Sequence, residues 1–304
     1  MPKITIDSIE VEVVQGTTIM DAARQIDPHT APPAMCYHSG LNGSGGKCRT
    51  CLVKVVQTSE TNPRPMPKLV PACRTLVEDG MKVENNSSPE VISARKGIVE
   101  LLLINHPLDC PVCDQAGECD LQNLTFQHGA ETTRYTEDRR RYPTKSLGNL
   151  IQLHMNRCIL CFRCVYAADQ LTDGRDHGVL NRGDASEIGT YIEKSIDNDF
   201  SGNLIDVCPV GALTDKTFRF KSRVWFTKPV YAHRQCETCC GKGVLWLKGH
   251  EVLRITGRRN AVGEVTEFIC NTCRFESKSL HHWEVEGPAP IDQRSVISQN
   301  HYTS

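Results

Sequence analysis

Aromatic side chains are scarce in this sequence. Only 6% of its 304 residues are Phe, Trp or Tyr, and 39% are hydrophobic in all, a thin supply for large aliphatic cores. Long apolar runs are missing too. The longest, IVELLLI at 98–104, is interrupted by Glu100 and falls far below the ~20 residues that a membrane-crossing helix needs. Neither sign of charge dominates: a formal net charge of −1 gives no electrostatic case for nucleic acid or an anionic lipid surface. There is no G-x-G-x-x-G fingerprint, phosphate loop or Ser/His/Asp arrangement, so no nucleotide site and no substrate chemistry are read here. The opening MPKITIDSIE carries no secretory signal, and with it goes the sign of an oxidising compartment.

What the chain has instead is cysteine. There are 16, and in a reducing compartment such residues bind metal more often than they pair as disulfides. They fall into four groups with no strays: Cys36, Cys48, Cys51 and Cys73; Cys110, Cys113 and Cys119; Cys158, Cys161, Cys164 and Cys208; and Cys236, Cys239, Cys240, Cys270 and Cys273. Isolated buried cysteines are common, but random placement would leave some outside any group.

The first group is spaced C-x11-C-x2-C-x21-C within a readable frame. KITI (3–6) and EVEVV (10–14) are β-rich runs joined by a turn at Asp7-Ser8. An amphipathic helix follows, with Ile19, Ala22, Ala23 and Ile26 at i, i+3, i+4, i+7. Hairpin, helix and cysteine loop in this order are the layout of a plant-type [2Fe–2S] ferredoxin, a β-grasp fold. Gly40, Gly43, Gly45 and Gly46 crowd the loop before Cys48, where small residues let backbone N–H groups approach sulfur. The proline-rich NPRPMPKLVP fits a surface excursion.

The third group, C-x2-C-x2-C with Cys208-Pro209 following after 43 residues, is the ligand set of a bacterial-type [4Fe–4S] cluster. Zinc is the alternative for four thiolates, although structural zinc ordinarily uses paired CxxC knuckles. The second group has only three cysteines. Ahead of it, Ser88-Pro89-Glu90 reads as a helix N-cap with proline at the first position, and Val91, Ile92, Ile98, Val99, Leu102 and Leu103 form an apolar face. Pro107 ends that helix and leaves His106 beside the Cys110/Cys113 loop. Taken alone, a histidine at such a place is more often a capping or solvated side chain than a ligand.

HPLDCPVCDQAGECDLQ, MNRCILCFRCV and SGNLIDVCPVGALTDK, with DRRRYPTKSLG and IGTYIEKSIDN beside them, closely resemble the iron–sulfur subunit of bacterial respiratory complex I, the NADH:quinone oxidoreductase. The resemblance is specific over about residues 1–223 and looser over 224–280. It implies that the second group holds a [4Fe–4S] cluster on His106, Cys110, Cys113 and Cys119, where neutral imidazole in place of thiolate raises the potential.

The fourth group lies beside VLWLK (244–248) and EVLRITG (251–257), a β-hairpin turning at Gly249-His250. It resembles the small module that opens the large molybdopterin-type domain of longer family members, with ligands at C-x2-C-x3-C and one distant cysteine. Cys236, Cys239 and Cys270 match three of these positions; Gly243 stands at the other, with Cys240 or Cys273 as a substitute. Both a third [4Fe–4S] cluster and a zinc ion on Cys236, Cys239, Cys270 and Cys273 fit the bare spacing.

The expected class is α+β: a [2Fe–2S] ferredoxin-like domain at 1–84, a His/Cys3 [4Fe–4S] domain at 85–145, a [4Fe–4S] ferredoxin-like domain at 146–224, a small Cys-rich β module at 225–280 and an extended or frayed tail at 281–304. The large molybdopterin-like domain is absent, so the resemblance reads as a short form. It implies an electron wire with no substrate site of its own: electrons enter from a flavin- and NADH-binding subunit and pass through the first, second and third groups in turn. They leave toward the quinone-side hydrophilic subunits of a peripheral arm on the cytoplasmic side of the inner membrane, the chain meeting the membrane only through the complex. The runner-up is the diaphorase iron–sulfur subunit of an NAD-linked [NiFe] hydrogenase; a more remote one is a zinc-stabilised scaffold without redox role.

Overall fold

The computed structural model describes residues 1–143, 145–172, 177–191 and 195–290. They divide into two compact units. No helix among them is long and apolar enough to cross a membrane.

The first unit comprises Met1–His38, Gly45–Ile104 and Leu124–Glu137. Its sheet begins with β1 (Lys3–Ile6) and β2 (Ile9–Glu12), paired from Ile6↔Ile9 to Lys3↔Glu12. Asp7 and Ser8 both take positive φ (46° and 74°), the left-handed pair that closes a two-residue hairpin with the right twist. The helix expected at Ile19 forms as α1 (Ile19–Ile26). Thr18 caps it by accepting from the Asp21 N–H, and Ile19, Met20, Ala22 and Ala23 are buried. Strands β3 (Leu52–Gln57), β4 (Val70–Pro71) and β5 (Met81–Glu84) complete the order β2-β1-β5-β3-β4. Only the β1–β5 pairing is parallel, the β-grasp arrangement. Ile4, Ile6, Val53, Val55, Met81 and Val83 alternate onto the face that shares a core with α1.

Helix α2 (Pro89–Leu103) starts at Ser88 with proline first, as expected, and ends three residues before His106. Its buried face differs from the apolar one read from sequence. Val91 and Val99 are buried, but Ile92 is exposed and Arg95 is only 1% accessible. The Arg95 guanidinium donates to Asn86 Oδ1 at 2.7 Å, to the Leu52 carbonyl at 3.3 Å and to Asn85 Oδ1. These acceptors make burial of a cation tolerable.

The second unit comprises Ser39–Ser44, Asn105–Asn123 and the described residues from Asp138 onward. Helix α3 (Asp120–His128) starts directly after Cys119; its first four residues belong to this unit and the rest to the first. Strands β6 (Lys145–Ser146) and β7 (Ile151–Leu153) pair, and helix α4 (Arg163–Leu171) opens on the Cys164 turn. Strands β8 (His177–Leu180) and β9 (Glu187–Thr190) form a separate hairpin. The short helix α5 (Asn203–Val207) ends at Cys208, and β10 (Leu213–Asp215) returns beside β7.

The four-stranded sheet has the order β13-β12-β11-β14. Its hairpin, β12 (Lys242–Lys248) and β13 (Glu251–Thr256), turns at Gly249 (φ 63°) as expected; β11 (Lys228–His233) adds a strand that sequence reading passed over. The tail expected from 281 also starts differently, because Glu284–Pro288 is a strand, β14, paired with β11. Glu286 explains part of this: it meets the His233 ring at 2.9 Å and the Arg258 guanidinium at 2.6 Å. Tail residues 291–304 lie outside the described residues.

One buried side chain makes this unit sensitive to acid. His177 is 4% accessible and neither ring nitrogen has a hydrogen-bond partner. Burial pushes its pKa down to about 4 from 6.5. Between those values the unfolded chain holds a proton that the folded chain refuses, so stability falls as the pH drops through that window. The expected loss from this group between pH 7 and pH 5 is about 2 kcal/mol. Denaturant titrations at the two pH values should show a correspondingly smaller loss for His177→Leu; an identical loss in the variant would assign the acid limb to other groups.

Candidate iron–sulfur and metal sites

In the first unit, Cys36, Cys48, Cys51 and Cys73 come together as two pairs. The Cys51 and Cys73 sulfurs lie 3.4 Å apart, and Cys36 and Cys48 are hydrogen-bonded to each other. In each pair the accepting thiol is held low by the thiol that donates to it: Cys48 by Cys36, Cys73 by Cys51. Two thiols close enough to share one ion, twice over, fit a two-iron cluster with one pair on each iron. Backbone N–H groups already point at these sulfurs. Gly46 donates to Cys73 Sγ at 3.3 Å, while Lys47 and Cys48 donate to Cys36 Sγ at 3.3 and 3.4 Å. Gly45 (φ 99°) permits the approach: a methyl group on it would lie 3.2 Å from Cys73 Sγ.

Cys158, Cys161, Cys164 and Cys208 meet in the second unit in a different way. All four line one small apolar cavity, walled by Leu153, Ile159, Phe162, Ile188, Val210, Ala212 and Leu213. Leu160 (φ 52°) and Phe162 (φ 65°) take left-handed conformations between successive cysteines. Such strain in bulky residues persists only where the surroundings impose it; here it turns each thiol inward, and the Leu160 N–H reaches Cys158 Sγ at 3.3 Å. Burial pushes the Cys158 and Cys164 thiols far above their ordinary range, with the neighbouring cysteines adding to the rise. An apolar cavity ringed by four reluctant thiols fits a four-iron cube, whose positive irons would hold the thiolates ionised.

The second group is built on a short 3-10 turn, Cys110–Val112, followed by Cys113 and by Cys119 at the start of α3. Cys113 and Cys119 are buried and Cys110 is exposed. His106 Nδ1 is buried without a hydrogen-bond partner, and burial lowers the ring's pKa to about 4. Neutral imidazole with a free nitrogen is the form that ligates iron, so His106 is in the state that a ligand to iron needs.

The segment Cys208-Pro209-Val210-Gly211 belongs to both of these sites. The Pro209 carbonyl accepts from the Asp120 N–H at 3.1 Å and lies 3.8 Å from Cys119 Sγ. Any Cβ on Gly211 would overlap Cys113 Sγ. The Arg157 guanidinium spans the same junction, holding Asp109 Oδ2 at 2.5 and 2.9 Å and the Gly211 carbonyl at 3.5 Å. Sequence reading placed Cys208 but missed Gly211 and the Arg157–Asp109 pair. A glycine two residues beyond the Cys-Pro step was the one available signal.

In the fourth group, the sulfurs of Cys236, Cys239, Cys270 and Cys273 all lie within 4.8 Å of one another. Cys240 stays outside: it is exposed, with its sulfur toward the Phe268 and Lys242 carbonyls at 3.7 and 4.0 Å. Gly243, where the family pattern has cysteine, sits in β12 opposite Ala232. A side chain there would press on Ile255 and the Thr256 carbonyl at 3.3 Å and on Trp283 at 3.6 Å.

These geometries define an iron–sulfur protein with a [2Fe–2S] ferredoxin domain and [4Fe–4S] ferredoxin-like regions. Known proteins agree. Residues 2–88 match a 2Fe-2S iron-sulfur cluster binding domain, 95–134 the NADH-ubiquinone oxidoreductase-G iron-sulfur binding region, and 148–214 the ferredoxin-like domain of NADH-quinone oxidoreductase subunit 3. The chain is 39% identical, over 95% of its length, to the NADH-ubiquinone oxidoreductase 75 kDa subunit of Reclinomonas americana. It is 38% identical, also over 95%, to an NADH-quinone oxidoreductase subunit of Rickettsia felis. It spans 40% and 41% of those two proteins. A chain of an NAD+-reducing [NiFe]-hydrogenase superposes with a TM-score of 0.62 at 25% identity, covering 73% of this chain and 91% of that one. Over 95% of its length the chain is thus similar to the 75 kDa subunit and its quinone-reductase counterpart, and residues 95–134 carry the iron-sulfur binding region of the same kind of protein.

The Gly211 contact gives a direct test. Gly211→Ala is expected to displace Cys113 and cost one cluster, about four iron atoms per chain, although Gly211 is no ligand. Iron analysis of anaerobically purified variant reads this; full iron content would show that the contact relaxes without consequence.

Proposed function

We propose that this chain is an electron-transfer subunit of an NADH:quinone oxidoreductase, contributing spacing, burial and hydrogen bonds while its clusters carry the electrons. Electrons from a flavin- and NADH-binding subunit enter at the [2Fe–2S] cluster on Cys36, Cys48, Cys51 and Cys73. They continue through the [4Fe–4S] clusters on His106/Cys110/Cys113/Cys119 and Cys158/Cys161/Cys164/Cys208, and leave toward quinone-side hydrophilic subunits of a peripheral arm on the cytoplasmic face of the inner membrane. The observation that carries this reading is the contrast among the sites: paired thiols at the first, a cysteine-lined apolar cavity at the third, and between them a site whose buried imidazole nitrogen has no partner.

A second reading keeps the clusters and changes the machine, a diaphorase module of an NAD-linked hydrogenase, and the structural match to a chain of such an enzyme favours it. The 38–39% identity to quinone-reductase subunits against 25% to the hydrogenase chain favours the first. Purification of the tagged chain from its own cells tests both. NADH:quinone reductase activity in the purified complex is expected, with EPR signals of both cluster types after dithionite; NAD-linked hydrogen oxidation would transfer the chain to the second reading. A colourless, EPR-silent protein would leave a zinc scaffold.

His106→Cys tests the imidazole ligand. An added thiolate charge is expected to lower that cluster's potential by roughly 100 to 350 mV, half of the shift that two such exchanges produce in Rieske centres. An unchanged redox titration would remove His106 from the ligand set.

A further inference from the structure

The fourth cysteine set does not fit the cube that the family pattern brings with it. The Cys236–Cys270 and Cys239–Cys273 sulfur pairs are each 3.7 Å apart, and all four sulfurs are mutually within 4.8 Å. One ion bound to four thiolates at about 2.3 Å makes a tetrahedron with edges of about 3.8 Å. A four-iron cube sets an iron between each thiolate and its centre and so holds the sulfurs farther apart. The first site makes the same point from within this chain, since its thiols approach as two pairs.

The backbone around the set is also that of a knuckle. Each half is a C-x2-C turn with an N–H directed at its own sulfur: Cys273 N–H to Cys270 Sγ at 3.5 Å, and Gly241 N–H to Cys239 Sγ at 3.4 Å. Gly241 is required, because at φ 64° any Cβ would overlap the Arg234 carbonyl. We propose that Cys236, Cys239, Cys270 and Cys273 bind a single tetrahedral zinc ion, and that this ion secures the seat of the neighbouring Cys208. Zinc joins the β11–β12 loop to the π-helical turn Thr272–Glu276. From that turn Arg274, 1% accessible, makes a two-pronged ion pair with buried Asp206. Asn271 holds the Gly202 N–H at 3.0 Å. Gly202 and Asp206 belong to the segment that ends at Cys208.

The test is independent of the electron-transfer reading, since zinc can be counted whatever the other clusters do. Metal analysis of anaerobically purified protein is expected to give one zinc beside about 10 iron, the sum of one two-iron and two four-iron clusters. About 14 iron without zinc, or one extra iron in place of zinc, would overturn the proposal. Growth with cobalt should give the visible bands of a tetrahedral Co(II) tetrathiolate, lost in Cys273→Ser; unchanged bands in that variant would place the ion elsewhere. Arg274→Gln is expected to keep the zinc while lowering occupancy of the Cys208 cluster, read by its EPR signal. Full occupancy would overturn the link to Cys208.

Discussion

The separation between sulfur atoms governs the rest of this structure. A buried thiol resists ionising, and Cys119, Cys158 and Cys164 are pushed far above the ordinary thiol range by burial. Bringing several of them together adds like-charge repulsion once they ionise. Only a cation among them offsets both costs, so metal binding and thiol deprotonation are one event, coupled to folding. The distance at which the backbone holds the sulfurs then selects the guest. Pairs suit two irons, an apolar cavity suits a cube, and a tight tetrad suits one ion. With few aromatic residues and modest aliphatic content, the fold leans on these centres where other proteins lean on larger cores.

Guanidinium groups tie the ligand-bearing segments together. Arg157 joins Asp109 to the Gly211 carbonyl, Arg254 holds Glu118 by two 2.6 Å contacts, and Arg274 holds Asp206. Each acidic partner lies within a few residues of a candidate ligand: Asp109 before Cys110, Glu118 before Cys119, Asp206 before Cys208. A planar fork gripping a carboxylate fixes orientation as well as distance, which a centre requiring thiols at set spacing needs. Removing one partner would leave the other charge buried and unpaired, the costly way to break such a pair.

Much of this was legible in the sequence because it is local. The Asp7-Ser8 turn, the period of α1, Ser88-Pro89 and the Gly249-His250 hairpin each depend on neighbours within a few positions. So do the C-x2-C spacings. What escaped was what distant contacts decide. Arg95 occupies a helix face that periodicity would give to Ile92, because Asn85, Asn86 and the Leu52 carbonyl await it. β11 and β14 lack strong alternation and are recruited by the neighbouring hairpin and by the contacts of Glu286 with His233 and Arg258. Gly211 looked like any loop glycine until Cys113 was placed against it.

That glycine shows how the second and third centres constrain each other. The covalent run from Cys208 to Gly211 carries a candidate ligand of one centre at its start and touches two candidate ligands of the other at its end. A shift in Cys208 therefore moves the Pro209 carbonyl beside Cys119 and the Gly211 backbone beside Cys113. For the electron-transfer role proposed above, such sharing acts in both directions. It keeps the two centres at a fixed separation without a domain interface that could loosen. It also makes the hydrogen bonding around one centre, which sets its potential, depend on the integrity of the other. A chain with little apolar material gains from letting one rigid tetrapeptide serve two sites.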